Sequence, residues 1–197
     1  MNREDYPRVS DILNLIYPFP EDRYRAWAFS QGLSPDWITK ESQRIGTKIH
    51  NWIQNRVEGI EKWADLPAVG DIEEGCLKAV DKLLHDYDIL ESEVKVYNDE
   101  WEYRGTLDAI GKLKGTDEML ILDWKTYGAW KGEYKRDSGK IKKLTTQLSM
   151  YKEAYGKPYP AQGIIIKADG DYEVEMIKDN DKWKEFMKKN KLSPKKK

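Results

Sequence analysis

Two aspartates and a lysine lie on neighbouring predicted strands, in a pattern that favours metal chemistry. Asp108 lies in the segment GTLDAIG, and Asp123 and Lys125 lie in ILDWKT. Residues 123 and 125 are two apart on a strand, so their side chains point to one face while Trp124 points to the other. A short turn at 114–117 joins the strands, so a paired register brings Asp108 within reach of Asp123. Adjacent carboxylates are costly unless a cation neutralises them, and oxygen ligands favour Mg²⁺ or Mn²⁺.

The same residues also have structural interpretations. Asp108 taken alone fits a turn or bulge residue, and Asp123 with Lys125 fits an ordinary surface ion pair. Asp123, however, ends the apolar run MLIL, where an unpaired carboxylate is poorly tolerated. We therefore expect both aspartates to bind a metal.

An acidic residue on one strand, followed on the next by Asp or Glu, any residue and Lys, is the core motif of the PD-(D/E)XK nuclease superfamily. The sequence resembles that superfamily at Asp108, Asp123 and Lys125. The resemblance implies a restriction-endonuclease-like fold, in which a mixed central β-sheet is flanked by α-helices.

Three further segments are similar to the RecB-type exonuclease branch of the superfamily, which includes stand-alone viral and mitochondrial enzymes. GTKIH brings His50 onto a helix, and QLSMY holds Gln147 and Tyr151 four residues apart on one helical face. The opening YPRVSDIL is similar to the start of several small members. The order of these motifs over residues 6–178 is more specific than any one of them.

The resemblance implies a role for each site residue. His50, Asp108, Asp123 and the carbonyl of Trp124 would hold the cation, and Lys125 would orient the attacking water or stabilise charge on phosphorus. Asp108, Asp123 and Lys125 are thus the expected catalytic residues. The products would carry 5'-phosphates and 3'-hydroxyls.

Two groups of residues are expected to contact nucleic acid. Gln147 and Tyr151 would bind the strand or support the metal shell, although Tyr151 fits a packed helix residue equally well. A basic segment just after Lys125 would grip the backbone, although such a segment is also typical of a solvated turn; it contains Lys131, Lys135, Arg136, Lys140, Lys142 and Lys143. The aromatics Trp101, Trp130 and Tyr134 are candidates for base stacking.

Two other assignments stay open in the sequence. A lone histidine beside an apolar stripe is usually structural, and only its position in the motif order makes His50 a candidate ligand. Glu93, in ESEVKVY, corresponds to an acidic residue that some family members carry on the first core strand. Glu91 fits that position equally well, and the alternative for both is a solvated strand face.

Composition sets the outer limits. The 197 residues include 39% hydrophobic side chains, enough for one domain over residues 1–190 followed by a basic, disordered tail at 191–197. Cys76 is the single cysteine, so four-cysteine iron-sulfur clusters of the kind found in some relatives are excluded. The charged start and the absence of a long apolar run predict a soluble, cytoplasmic protein without a membrane partner.

The charges are unevenly distributed. The net charge is -1, but residues 126–197 hold about 18 Lys and Arg against about 10 Asp and Glu. This asymmetry permits a phosphate-binding face on a nearly neutral protein, and it equally fits a solvated surface with a lysine-rich tail.

The periodicity predicts an α/β fold with a helical N-terminal part. Helices are expected up to about residue 86, with Ser10 capping the first and a long helix after Pro35 whose apolar stripe runs from Ile45 to Ile60. Three antiparallel strands should follow in 89–126, then a helix ending at Gly156, then a hairpin and a short helix.

The expected function is a DNA exonuclease acting on single strands or ends in replication, recombination or repair, and of the viral kind. The preference for ends comes from the family comparison alone. A structure-selective or restriction-type endonuclease is the alternative within the same chemistry. A nucleic-acid-binding module without catalysis is the alternative from another class.

Overall fold

A five-stranded mixed sheet forms the centre of the protein in the computed structural model, which describes residues 2–60, 70–126, 138–178 and 180–190. The strands follow chain order across the sheet. They are β1 (Tyr87–Asn98), β2 (Tyr103–Leu113), β3 (Leu120–Thr126), β4 (Ala161–Ile166) and β5 (Tyr172–Met176). β1, β2 and β3 pair antiparallel, as predicted, β3 and β4 pair parallel, and β4 and β5 form the predicted hairpin.

The described residues contain six α-helices. They are α1 (Val9–Ile16), α2 (Glu21–Ser30), α3 (Pro35–Val57), α4 (Asp71–Asp86), α5 (Ser138–Tyr155) and α6 (Lys182–Lys189), and a short 3-10 helix at Arg3–Asp5 precedes them. The fold class is therefore α/β with a mixed sheet and a helical N-terminal part, as the periodicity predicted. The predicted tail at 191–197 lies outside the described residues.

Local signals explain where most of the helices begin and end. Ser34 caps α3 by accepting a hydrogen bond from the Trp37 amide, and Pro35 occupies the first helical position. Gly156 follows α5 with a φ of 73°, a conformation that glycine adopts at low cost. The predicted cap at Ser10 is wrong, because α1 begins at Val9 and the Asp11 carboxylate accepts from the Arg8 amide.

One hydrophobic cluster covers each face of the sheet. α1, α5 and α6 pack on one face, and α3 and α4 pack on the other. The apolar stripe of α3 is buried at Ile45, Ile49 and Ile53, which confirms the predicted helix face. Ile60, assigned to the same stripe from sequence, lies beyond the helix and is exposed. The buried face of α3 fixes the direction in which the opposite polar residues of the helix point.

None of the described helices combines the length and the apolar character that a membrane-crossing helix needs.

Candidate metal centre

The sheet opens at Asp108, where β2 and β3 separate. Ala109 and Leu122 form the last backbone pair of these strands on this side, so Asp108 and Asp123 are the next residues on each strand. The backbone amide of Trp124 donates a 2.8 Å hydrogen bond to Oδ2 of Asp108 instead of to a carbonyl of β2. A carboxylate thus replaces the strand ladder, and the predicted proximity of Asp108 to β3 is confirmed.

Glu93 of β1 lies next to Asp108 of β2, on the edge of β2 that faces away from β3. The strand pairs Ser92 with Ala109 and Val94 with Leu107 flank the two acidic residues. The backbone of Glu93 has a φ of 51°, in the left-handed region that costs a non-glycine residue about 1 kcal/mol or more. Three carboxylates therefore come from three adjacent strands. We call Glu93, Asp108 and Asp123 the acidic cluster.

His50 reaches the same point from α3. Its Nδ1 lies 3.6 Å from Oδ1 of Asp108, and its ring lies 5.8 Å from that of Trp124 between centroids. One turn earlier, a Cβ added to Gly46 would lie only 3.3 Å from Oγ1 of Thr126, so a small residue lets the helix approach the end of β3. The long helix thus positions the imidazole over the opening in the sheet.

His50, Glu93 and Asp108 form one potential ligand set. Each offers a nitrogen or carboxylate oxygen, and these atoms all lie within 4.8 Å of one another. Glu91 and Glu93 are both exposed, and Glu93 is the one whose carboxylate belongs to this set, so the structure favours Glu93 as the candidate of the two.

Asp123 lies beside the ligand set and is fully buried. Its Oδ2 accepts a short hydrogen bond from the Lys125 ammonium, and its Oδ1 accepts a 3.0 Å hydrogen bond from Nε2 of Gln147. The Lys125 ammonium also lies 3.3 Å from the carbonyl oxygen of Trp124. Asp123 and the Trp124 carbonyl are thus held next to the cluster by hydrogen-bond donors, and their predicted role as metal ligands stays a prediction.

The surroundings of Asp108 and Glu93 disfavour the ionised form of both side chains. Burial raises the pKa of Asp108 well above its ordinary value, and the nearby charge of Asp123 raises it further. Burial and the charge of Asp123 also raise the pKa of Glu93. A cation bound among these groups would reverse both effects, since it favours the ionised carboxylates.

The imidazole and the ammonium respond differently. Burial, followed by the charge of Lys125, lowers the pKa of His50 to about 4, so the ring is neutral at neutral pH. Burial opposes the charge of Lys125, but the charges of Asp123 and Asp108 outweigh it and raise the pKa of the ammonium above its ordinary value. At neutral pH the site therefore offers a neutral nitrogen donor and a positive charge side by side.

This set of donors fits a divalent cation that prefers oxygen ligands. Two carboxylates and one neutral imidazole suit Mn²⁺, and Mg²⁺ accepts the same carboxylates together with water. Burial first, and the charge of Asp123 second, raise the pKa of Glu93 and Asp108, and a bound cation would favour the ionised form of both. His50, Glu93 and Asp108 would hold the ion, with Asp123 at its edge.

The helix α5 supplies the two residues of the Gln-x-x-x-Tyr motif. Gln147 Nε2 donates to Asp123 and also to the Tyr151 hydroxyl, at 3.1 Å. The Tyr151 ring is buried, and a Cβ added to Gly105 of β2 would lie 2.5 Å from its Cε1. Gln147 thus supports the acidic cluster directly, while Tyr151 is a packed residue whose hydroxyl reaches the site.

The residues predicted to bind nucleic acid are only partly described. Lys131, Lys135, Arg136, Trp130 and Tyr134 lie outside the described residues. Lys140 and Lys142 lie on the exposed surface of α5 rather than in a loop. Lys143 donates a 2.7 Å hydrogen bond to Asn14 of α1.

Trp101 is wrong as a stacking candidate. It is buried and packs edge-to-face on Trp183 of α6, with ring centroids 5.3 Å apart. The contact with Trp183 joins residues far apart in the sequence, so the residue types around Trp101 did not indicate its burial.

Comparisons with known proteins give no family for this chain. It matches no protein-family model and no curated protein. Among solved structures it is similar to the protein described as SSO0001, at 14% identity and a TM-score of 0.45, over 91% of this chain and 70% of that one.

Proposed function

We propose that this chain is a metal-dependent DNA nuclease that hydrolyses phosphodiester bonds. The observation that carries the proposal is the convergence of His50, Glu93 and Asp108 on one point, beside the hydrogen-bonded pair of Asp123 and Lys125. A polyanionic substrate is repelled by clustered carboxylates unless a cation lies between them. The same cluster therefore favours a bound divalent ion and a phosphate ligand together.

The residues of the chain have separate tasks in this proposal. When bound, Mg²⁺ or Mn²⁺ supplies positive charge to the scissile phosphate and lowers the pKa of a water molecule. Lys125 holds its proton and donates to the nonbridging oxygen on which charge develops. Asp123 fixes the direction of that ammonium. The water oxygen forms the new bond to phosphorus, and its proton passes to solvent. The bond to the 3' oxygen breaks, and that oxygen takes a proton from solvent, which leaves a 5'-phosphate and a 3'-hydroxyl.

The proposed substrate is single-stranded DNA or a DNA end, in replication, recombination or repair. This preference comes from the family resemblance alone, which favours an exonuclease of the viral kind that lacks an iron-sulfur cluster. An endonuclease would use the same cluster. Incubation of linear and closed circular DNA distinguishes the two, because an exonuclease leaves the closed circle intact.

A binding module without catalysis is the alternative from another class. The Asp123–Lys125 pair and the neutral His50 argue against it, because a surface that only binds phosphates has no use for three carboxylates. A protein that binds DNA tightly and cuts none under any metal condition would favour this alternative.

The first experiment is cleavage of end-labelled DNA in Mg²⁺, in Mn²⁺ and in EDTA, with matched RNA as a second substrate. We expect the wild type to cut DNA only with a metal, and Asp108→Asn and His50→Ala to lose this activity. Asp117→Asn is the matched control, since Asp117 is exposed in the turn between β2 and β3. Cleavage that persists in EDTA, or in both site variants, would contradict the proposal.

A further inference from the structure

A cleft opens beside the first part of β2, before the residues of β2 that pair with β3. It has a volume of about 460 Å³ and lies between the start of α1, the paired ends of β1 and β2, and α5. Its polar and charged lining includes Arg8, Ser10, Lys95, Arg104, Thr106 and Tyr151. None of these residues except Tyr151 had a functional assignment from sequence.

The cleft lies next to the candidate metal centre along β1 and β2. Lys95 pairs with Thr106 across β1 and β2; Lys95 follows Glu93 by two positions on β1, and Thr106 precedes Asp108 by two positions on the antiparallel β2. At the rise of a strand, the two pairs of residues are about 6.7 Å apart. The Tyr151 hydroxyl also lines the cleft and accepts the hydrogen bond from Gln147, which contacts Asp123.

Lys95 is the cation of the cleft that lies nearer the acidic cluster, and Arg8 bridges the backbone of Arg104 farther along β2. Lys95 is exposed, and among the described residues its ammonium has no hydrogen-bond or ion-pair partner, although the charge of Glu4 lies near enough to act on it. Arg8 is exposed on the opposite wall. At the far end, Arg104 is held by Glu4 at 2.8 Å and by the Tyr6 carbonyl at 3.0 Å. Lys95 and Arg8 are therefore the cations available to a ligand.

We propose that this cleft binds a backbone phosphate of the substrate strand, next to the phosphate that lies at the acidic cluster. The inference rests on the proposed function, since the acidic cluster defines where the scissile phosphate lies. A nucleic-acid strand carries one negative charge per nucleotide, so a strand that leaves the cluster along β1 and β2 brings its next phosphate to Lys95 and Arg8. The hydroxyls of Ser10 and Thr106 donate to the same phosphate oxygens.

This phosphate site would set the path of the strand. The acidic cluster alone offers no contact that distinguishes one direction along the strand from the other. Cations on one side only, along β1 and β2, make the two directions unequal. The cleft therefore acts as a positioning site and is separate from the chemical step.

The test measures binding of a single-stranded DNA oligonucleotide in EDTA, where cleavage does not interfere. We expect Lys95→Ala and Arg8→Ala each to weaken binding about two- to fivefold at low salt, as for loss of an exposed charge pair. Each should also reduce the slope of log affinity against log salt by about 0.7. Lys78→Ala is the matched control, because Lys78 is an exposed lysine of α4 on the other side of the sheet, and its slope should not change.

A second measurement locates the phosphate. Oligonucleotides that each carry one neutral methylphosphonate are bound to the wild type and to Lys95→Ala, and the cut position is mapped with metal. We expect one neutral linkage, within two nucleotides of the cut, to weaken binding to the wild type and to have no further effect on Lys95→Ala. Unchanged salt slopes in both cleft variants, or equal losses at every linkage, would overturn the inference. Failure of the proposed function is a separate result, since it appears as intact binding without any cutting.

Discussion

Gln147 donates a 3.0 Å hydrogen bond from Nε2 to Oδ1 of Asp123, the oxygen that Lys125 does not bind. The second hydrogen of the same amide is directed to the Tyr151 hydroxyl. Both oxygens of a fully buried carboxylate are thus held by donors, which fixes the direction of the carboxylate and of the Lys125 ammonium. The Gln-x-x-x-Tyr motif acts here on the acidic cluster.

Gln147→Leu should therefore lower kcat roughly 10- to 100-fold, the usual loss when a partner of a metal-site residue is removed. KM should change little, because the side chain is directed at Asp123. Tyr151→Phe keeps the ring against Gly105 and removes only the hydroxyl, so we expect a smaller loss. Steady-state cleavage kinetics separate the possibilities. A raised KM with unchanged kcat would indicate a direct contact with DNA instead.

Glu93 and Glu91 offer a matched pair on one strand. Both are exposed, but the carboxylate of Glu93 belongs to the potential ligand set and that of Glu91 does not. Glu93→Gln should weaken the activating metal roughly 10- to 100-fold, and Glu91→Gln should have no effect. Titration of cleavage with Mn²⁺ measures the difference. Equal behaviour of the two variants would remove Glu93 from the site.

The choice between these glutamates shows where the sequence stops being sufficient. Alternation along a strand assigns side chains to faces only while the pairing is regular. The register of β1 shifts between Ile89 and Glu91, and Glu93 has a left-handed backbone. Both irregularities interrupt the alternation, and neither follows from residue types. The proximity of Asp108, Asp123 and Lys125 was predictable because a short turn fixes the register of their strands.

The cleft with Lys95 and Arg8 was not predictable for a different reason. Each is a charged residue in a charged segment, which fits a solvated surface. Only the separation of β3 from β2, and the position of α1 beside that edge, bring the two cations to one cavity. The helices and the hairpin were predictable because their glycines and apolar periods are local, although the cap of α1 was predicted at Ser10 and lies at Arg8.

Asp108→Asn should stabilise the metal-free protein and remove its response to metal. Asparagine keeps an oxygen that accepts from the Trp124 amide. It also removes a buried carboxyl group whose pKa is raised by burial and by the charge of Asp123. In the wild type, metal at a hundred times its Kd should add about 2.7 kcal/mol to the free energy of unfolding. Thermal unfolding with and without Mn²⁺ measures both effects. A metal response retained by Asp108→Asn, and equal to that of the Asp117→Asn control, would contradict this assignment.

Cys76 should react only when the protein unfolds. The thiol is buried, and burial, together with the charges of Glu73 and Asp169, raises its pKa to about 11. At pH 8 the folded protein should therefore resist thiol reagents, while the urea-unfolded protein reacts at once. Because the folded pKa is raised, its contribution to stability is complete below about pH 9 and is lost as the pH rises towards 11.

The unfolding free energy of the wild type should therefore fall more steeply above pH 9 than that of Cys76→Ala, by up to about 1–2 kcal/mol. Urea unfolding of both proteins at pH 8 and pH 10.5 makes the comparison. Rapid labelling of the folded protein at pH 8 would show that the thiol is accessible and would contradict the prediction.

Lys125 is the residue for which stability and catalysis must be separated. Among the described residues, its loss leaves the fully buried Asp123 with Gln147 as its remaining donor, so Lys125→Met should cost about 2–3 kcal/mol of stability. This cost is on the low side for a broken buried pair because Lys125 is partly exposed. The double variant Asp123→Asn with Lys125→Met removes both charges, and most of the stability should return.

Activity should follow a different pattern in the same variants. Lys125→Met should lower kcat at least roughly 100-fold, as expected for the loss of one group that stabilises charge in the transition state. The double variant should regain stability without regaining activity, and both variants should still bind DNA in EDTA. Urea unfolding, cleavage kinetics and binding together test this. If activity returned with stability in the double variant, Lys125 would be a structural partner of Asp123 and not a participant in the reaction.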